Sequence, residues 1–309
     1  MKILGIGNAI VDIICKVDDD FLYKNSLAKS TMKLIDEEEF KRLSLNLKIE
    51  KTIAGGSVAN SIVGLAQQNN EVSFLGKIND DKFGQNYEDS LTKENVKYLY
   101  KKKKENTPTG ICLILVTPDS ERTMCTFLGV SGKITPSDLN EQDIKKSQII
   151  FLEGYLWDEG DPKKTFNKAL SLANKSAMTL SDKFCVDRHK ESFFNMVKED
   201  LDVTFANEQE ITSLIEAKKF EDIITFAKEL KKLIVITRAD KGSIAISGAE
   251  IVECSSQKNL KILDLTGAGD LFAAGFLDGY INNKTIKESL EKGTEMASKV
   301  IQIIGARLS

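Results

Sequence analysis

Ile149-Ile150-Phe151-Leu152 is a short, unbroken apolar run flanked by Gln148 and Glu153, and three similar runs follow it at helix-length intervals: Ala177 to Leu180, Val203-Thr204-Phe205 and Leu233 to Thr237. Such runs, separated by amphipathic stretches, read as strands of a mostly parallel sheet covered by helices on both faces. The same rhythm extends outward. Upstream, Ile3 to Ile14 is β-rich and Val72-Ser73-Phe74-Leu75 is a short strand. Asp36 caps a helix through Glu37, Phe40 and Leu43; Val58, Ile62 and Leu65 give Ser57 to Gln68 helical spacing; Gly84 opens a helix toward Leu91. Downstream, helices over Ala268 to Ile281 and Ile286 to Ile304 close the chain. Two β-rich parts break the rhythm, Cys15 to Ile35 and Thr109 to Leu128. The second reads as a hairpin of Ile111 to Val116 and Arg122 to Leu128 around Pro118-Asp119-Ser120. Lacking helices of their own, residues of about 15–35 and 109–128 are expected to form a small sheet over the mouth of a single α/β domain spanning 1–309, a lid.

Composition narrows the function. The chain has 309 residues, 41% hydrophobic and 29% charged, with a formal net charge of -3, which reads as a soluble globular protein without the basic excess of a nucleic-acid binder. Met1-Lys2-Ile3-Leu4-Gly5-Ile6 is strand-like rather than a signal peptide, and no apolar run is long enough to span a bilayer, so no membrane is expected. Five dispersed cysteines without a C-x-x-C read as free thiols in a reducing cytoplasmic compartment. His189 is the sole histidine and no G-x-S-x-G elbow accompanies it, which leaves acid–base chemistry to carboxylates. Lys101-Lys102-Lys103-Lys104 reads as a solvated turn.

Three stretches carry chemistry. In Asp264-Leu265-Thr266-Gly267-Ala268-Gly269-Asp270, small residues precede a helical apolar run. The Gly267, Ala268 and Gly269 amides at a helix N-terminus form a site for anionic oxygen. Asp270 in the first turn either accepts the proton of an attacking hydroxyl or merely stabilises its own helix end. Ala54-Gly55-Gly56-Ser57-Val58-Ala59-Asn60 also opens a helix. Its glycines and the Asn60 amide suit a polyol ring, or a tightly packed strand-to-helix turn. In Gly5-Ile6-Gly7-Asn8-Ala9-Ile10-Val11-Asp12, Asn8 and Asp12 follow a buried strand. A carboxylate among apolar residues needs a partner, a vicinal diol or backbone N–H groups.

In this order the three stretches resemble the ribokinase-like (PfkB) carbohydrate kinase family, and within it the adenosine kinase branch, over nearly the whole chain. Asp264 to Asp270 is similar to the family's D-T-x-G-A-G-D signature, with Leu265 in the place of Thr. Asn207-Glu208-Gln209-Glu210 resembles its N-x-x-E motif, and Thr237-Arg238-Ala239-Asp240-Lys241-Gly242 its nucleotide-binding turn, with Ala239 replacing a glycine. Thr107-Pro108-Thr109-Gly110 and Asp81-Lys82-Phe83-Gly84 match as well. The resemblance implies a ribokinase-like fold and an ATP-dependent kinase that phosphorylates the 5′-hydroxyl of a nucleoside, adenosine to AMP. It implies Asp270 as base and Gly267, Ala268 and Gly269 as anion hole. Asn8, Asp12, Gly55, Gly56 and Asn60 would hold the ribose hydroxyls, and Arg122 on the lid hairpin would reach the phosphates. Asn207, Glu210, Thr237, Arg238 and Gly242 would serve ATP. Mg2+ would be organised through water by Glu210, and a monovalent cation, K+, would sit at Asp264 and Thr266. Leu34, Met124, Leu128 and Tyr155-Leu156-Trp157 are candidate walls for the base. Both monomer and homodimer are open.

The nearest rival is a sugar kinase of the same family acting on ribose or a hexose such as fructose. A nucleotide-binding dehydrogenase rests only on Gly5-Ile6-Gly7, with Ile10 where the third glycine of G-x-G-x-x-G belongs. A silent ligand-binding relative would have no need of Asp270.

Overall fold

A computed structural model describes residues 2–45, 47–119, 121–158, 160 and 162–308. The readings on Met1 and Ser120 lie outside these residues. In chain order the elements are β1 (Ile3–Ile6), β2 (Ile10–Lys16), α1 (Asp19–Lys24), β3 (Met32–Leu34), α2 (Glu37–Ser44), β4 (Ile49–Ala54) and α3 (Ser57–Gln67). Next come β5 (Val72–Leu75), α4 (Lys82–Lys93), β6 (Lys97–Tyr98), β7 (Gly110–Val116), β8 (Arg122–Phe127), α5 (Glu141–Lys146), β9 (Ile149–Glu153) and α6 (Pro162–Leu172). The remainder are β10 (Ser176–Thr179), α7 (Lys183–Asn195), β11 (Val203–Asn207), α8 (Glu208–Ile215), α9 (Phe220–Leu230), β12 (Leu233–Thr237), β13 (Ser243–Ser247), β14 (Glu250–Cys254), α10 (Ala268–Ile281) and α11 (Ile286–Val300).

The large sheet has strand order β14-β13-β12-β11-β10-β9-β1-β5-β6. It is parallel from β6 to β12, and β1 and β9 are buried along their whole length, as double-sided coverage requires. This is the expected α/β layer. The antiparallel edge hairpin β13–β14 was not expected, because its strands alternate apolar and polar residues only weakly. From β1 the chain moves to β5 on one side and later to β9 on the other. The crevice at the C-terminal ends of β1 and β9 is therefore the topological switch point where such sheets bind ligands.

The second sheet has order β3-β8-β7-β2-β4. It differs from the expected segments in three ways. Its strand β2 begins at Ile10, ahead of the expected Cys15; Asp18 caps a helix, α1, inside the stretch read as β-rich; and β4 supplies an edge strand that its polar sequence concealed, while α2, capped by Asp36, lies where it was expected. Direct pairing of Asp12 with Cys112, Cys112 with Thr126, and Thr126 with Leu34 places these four side chains on one face. Alternation puts Ile10, Ile14, Ile114, Met124 and Leu128 on that face too, where they form a small apolar cluster of their own with Cys112. The opposite face, Val11, Ile13, Cys15, Leu113, Leu115 and Cys125, belongs to the main core.

Helix α10 lies between α3 and α11. A Cβ on Gly275 would sit 2.5 Å from the Lys292 carbonyl oxygen, and one on Gly64 would sit 2.8 Å from Leu271 Cδ1, so glycine is what lets these helices approach. That approach sets the first turns of α3 and α10 side by side. All five cysteines are buried and free. Lys102, in the lysine run, pairs with Glu88 at 2.9 Å. Among the described residues no helix is long and apolar enough to cross a membrane. Helix α11 ends at Val300, four residues short of the expected Ile304.

Candidate active site

Asp270 occupies the third position of α10, after Gly267, whose φ of +80° marks the left-handed entry to the helix. The carboxylate is held from α3: Ser57 Oγ donates to Oδ1 at 2.7 Å, and Asn60 Nδ2 donates to Oδ2 at 2.9 Å. Ser61 Oγ donates to the Asp270 carbonyl at 2.8 Å, which ties the two helix ends together. Burial pushes the Asp270 carboxyl up to about 6, opposed by the Ser57 and Asn60 hydrogen bonds and the Arg307 charge. The group is therefore ionised at neutral pH yet a strong enough base to take a proton.

Of the three amides assigned to the anion hole, Ala268 N–H already donates to the Leu265 carbonyl at 3.2 Å, a departure from the expected trio. Among the described residues nothing accepts from Gly267, Gly269 or Asp270 N–H, and a Cβ on Gly269 would meet nothing within 4 Å. The open amides face a cleft of about 250 Å³ lined by Ser57, Thr179, Ser181, Asn207, Glu210, Thr237, Leu265 and the Gly267–Asp270 turn.

The second Gly-rich stretch meets the Asp12 carboxylate. A Cβ on Gly55 would fall 2.4 Å from Asp12 Oδ2, and Gly56 adopts φ +95° with the Asn8 carbonyl oxygen 2.3 Å from where its Cβ would be. Among the described residues no hydrogen bond or ion pair reaches the Asp12 carboxylate. Burial pushes it up to about 7; Arg307 and Arg122 pull it down, and Asp270 adds to the rise. A half-buried carboxylate without a protein donor is costly unless water or a ligand supplies one. Asn8 bonds Glu153, and among the described residues its buried Oδ1 has no partner.

Two site residues escaped the sequence reading. Glu153, at the C-terminal end of β9, accepts from Val58 N–H at 2.9 Å, and burial raises its carboxyl to about 8. An acid closing a buried apolar strand was the available signal. Arg307 donates from Nε to Asn60 Oδ1 at 2.9 Å. Only folding brings it there, from 247 residues away.

Other assignments look different in three dimensions. Asn207 and Glu210 form a capping box for α8, with Asn207 N–H donating to Glu210 Oε2 at 3.0 Å and Nδ2 donating to Oε1 at 2.5 Å. Both line the cleft. Burial raises the Glu210 carboxyl to about 7, opposed by Asn207. With its oxygens already holding donors, Glu210 fits Mg2+ held through water rather than by direct ligation. Arg238 turns to Glu208 at 3.1 Å and lies over the Phe220 ring at 3.8 Å, and it does not line the cleft. Gly242, at φ +92°, closes the turn between β12 and β13, while Ala239 takes φ +51° in the place of the family's glycine.

Arg122 crosses from β8 to Asp264 Oδ2 at 2.9 Å and to Thr266 Oγ1 at 3.2 Å. Asp264 also accepts from Thr266 N–H, Thr266 Oγ and Gly305 N–H. Burial would raise the Asp264 carboxyl, but these donors and the guanidinium outweigh it and hold it low. With its charge met by arginine and both oxygens engaged, this pair does not fit a monovalent cation, contrary to the expectation from sequence. The Tyr155–Trp157 stretch also turns away from the cleft: Tyr155 Oη donates to Asp182, Leu156 is fully buried, and Trp157 packs edge-on against Phe166 and Phe193. Leu34 and Leu128 lie on the Asp12 face of the small sheet. Elsewhere, Asp158, Cys185 and His189 converge, but both Asp158 oxygens are committed to Arg188.

Comparison with known proteins agrees with this geometry. The profile described as pfkB family carbohydrate kinase matches residues 25–309. Adenosine kinase 2 of Arabidopsis thaliana is 26% identical over 333 residues, covering 98% of this chain and 94% of that protein. The crystal structure of adenosine kinase from Sinorhizobium meliloti superposes with a TM-score of 0.91 at 34% identity, covering 99% of this chain and 95% of the other. A probable sugar kinase from Rhizobium etli CFN 42 does so with a TM-score of 0.91 at 33% identity, covering 99% and 94%.

Proposed function

The chain belongs to the pfkB family of carbohydrate kinases, and from this premise we propose that it moves the γ-phosphoryl group of ATP to the 5′-hydroxyl of adenosine. That it is a kinase for a nucleoside or sugar follows from the family. The choice of adenosine is supported by one observation. Beside Thr126 and Asp12 itself, the face of the small sheet that carries Asp12 presents an apolar cluster of Ile10, Cys112, Ile114 and Leu128. A purine has a broad flat apolar face to lay against such a surface, whereas a free sugar offers mostly hydroxyls and a smaller apolar area.

In this reading the ribose diol donates to Asp12, and Asn8 Oδ1 and the Gly55–Gly56 backbone flank the ring. The 5′-hydroxyl lies against Asp270, which takes its proton as the oxygen attacks phosphorus; the bond from the γ-phosphorus to the bridging oxygen breaks and ADP leaves. The Gly267, Gly269 and Asp270 amides and the α10 dipole stabilise charge on the moving phosphoryl group. Asn207 and Glu210 would hold the water shell of Mg2+, and the ion would supply positive charge to offset that of the ATP phosphates. Arg122, joined to Asp264, draws the small sheet over the cleft, and that sheet acts as a lid that excludes water.

Initial rates of ATP-dependent phosphorylation across adenosine, other nucleosides, ribose and fructose test the proposal. The highest kcat/KM is expected for adenosine. A sugar turned over more efficiently would move the assignment to the sugar kinases, the alternative kept open by the Rhizobium etli likeness.

A further inference from the structure

The stretch from Gly305 to Leu308 leaves α11 and is fastened at three places. Gly305 N–H donates to Asp264 at 2.7 Å; Ala306 packs so closely that a Cβ on Gly267 would lie 2.6 Å from its Cα; and the Leu308 carbonyl accepts from Gln67 Nε2 at 2.7 Å. Arg307 is thereby carried into the acceptor end of the site on a fixed segment. Its Nε holds Asn60 Oδ1, which leaves Asn60 Nδ2 as the atom presented to Asp270. Among the described residues its buried Nη2 has no acceptor, and Asp12, whose charge it feels, has no donor.

We propose that Arg307 is a positioning residue for the transfer reaction, fixing the Asn60 amide against the base, and that its free Nη2 binds a ring hydroxyl of the acceptor. The inference rests on the reading of Asp270 as base and Asp12 as acceptor contact. The chemistry is complementary. A guanidinium only donates and a carboxylate only accepts, whereas a hydroxyl does both and satisfies the two at once. An unmet buried donor beside an unmet carboxylate is costly without ligand and is relieved by a diol. The fork also fixes which way the amide points. Without it Asn60 can turn its oxygen toward Asp270, and two acceptors would then face each other.

Arg307→Gln and Arg307→Lys, assayed with adenosine and ATP across pH, test this. Charged groups facing Asp270 are Asp12 from β2, Glu153 from β9 and Arg307 itself. Removing the cation makes the base harder to ionise, so Arg307→Gln should shift the acidic limb of kcat/KM upward by about half a pH unit or more. It should raise the adenosine KM about tenfold or more, with the ATP KM nearly unchanged. Arg307→Lys keeps the charge but loses the planar fork, so the limb stays while the adenosine KM still rises. Folding is checked by thermal unfolding. A folded Arg307→Gln with wild-type adenosine KM and pH profile would overturn the proposal. So would loss of folding in both variants, which would make the residue purely structural. Failure of the underlying reading shows elsewhere, as undiminished turnover in Asp270→Asn.

Discussion

Gly55→Ala turns a packing detail into a kinetic effect. The backbone tolerates the change, because Gly55 is not among the glycines with positive φ. The new methyl would lie 2.4 Å from Asp12 Oδ2, 2.6 Å from Cγ and 2.7 Å from Oδ1. Comfortable contact needs about 3.5 Å, so the carboxyl group must retreat by roughly 1 Å. A displacement of that size removes the hydrogen bonds that Asp12 would accept from the ribose diol. Each bond to a charged group contributes about 1.5–3 kcal/mol, so one lost bond lowers kcat/KM for the acceptor by about 10- to 150-fold. The ATP KM should be little affected, since Asp12 does not line the phosphate cleft. The assay is a double-mutant cycle with Asp12→Asn, measured as kcat/KM for adenosine. If Gly55→Ala acts by moving Asp12, it should cost little further in the Asp12→Asn background. Fully additive losses, or an acceptor kcat/KM within about twofold of wild type in the single variant, would refute the argument.

With both substrates saturating, kcat should fall as pH drops through about 6, where Asp270 takes up a proton, while kcat/KM for the acceptor should begin to fall nearer 7, where Asp12 does. Ser57→Ala removes a hydrogen bond that favours the ionised form of Asp270 and should move the kcat limb to higher pH, so a rate–pH profile that does not shift would count against the pairing. Arg122→Ala cuts the tie from the small sheet to Asp264. ATP hydrolysis without acceptor, relative to transfer, should rise, and an unchanged ratio in a phosphate-release assay would argue against closure by this residue. Glu210→Gln preserves the cap of α8 but removes the charge; the Mg2+ needed for half-maximal rate should rise about tenfold or more, as a magnesium titration would reveal.

Much of the architecture was legible because burial leaves a plain trace. Ile149 to Leu152 and Leu233 to Ile236 are apolar throughout because both sheet faces are covered, and Ser57 to Gln67 carries its large apolar residues at helical spacing within a helix that is buried almost all round. The concealed elements obey local or edge rules instead. β4 is mostly exposed and polar, and α1 owes its start to a single capping aspartate. The glycine motifs pointed to Asp12 and Asp270, since bare backbone beside a carboxylate leaves room for a hydroxylated or phosphorylated ligand. Glu153 and Arg307 were hidden for a different reason: their neighbours in the site come from β1, α3 and α10, and no spacing along the chain records such convergence. Arg122 and Asp264 show the same effect in reverse. Each invites its own ligand in sequence, and the fold satisfies each with the other.

The base assignment is tested most directly by the single-turnover rate of phosphoryl transfer in Asp270→Asn with saturating ATP, Mg2+ and adenosine. Asparagine can keep one of the contacts to Ser57 and Asn60 but cannot accept the hydroxyl proton. The rate should fall at least ~10²-fold while both substrates still bind. Transfer at the wild-type rate would contradict the role given to Asp270 and, with it, the mechanism built around the first turn of α10.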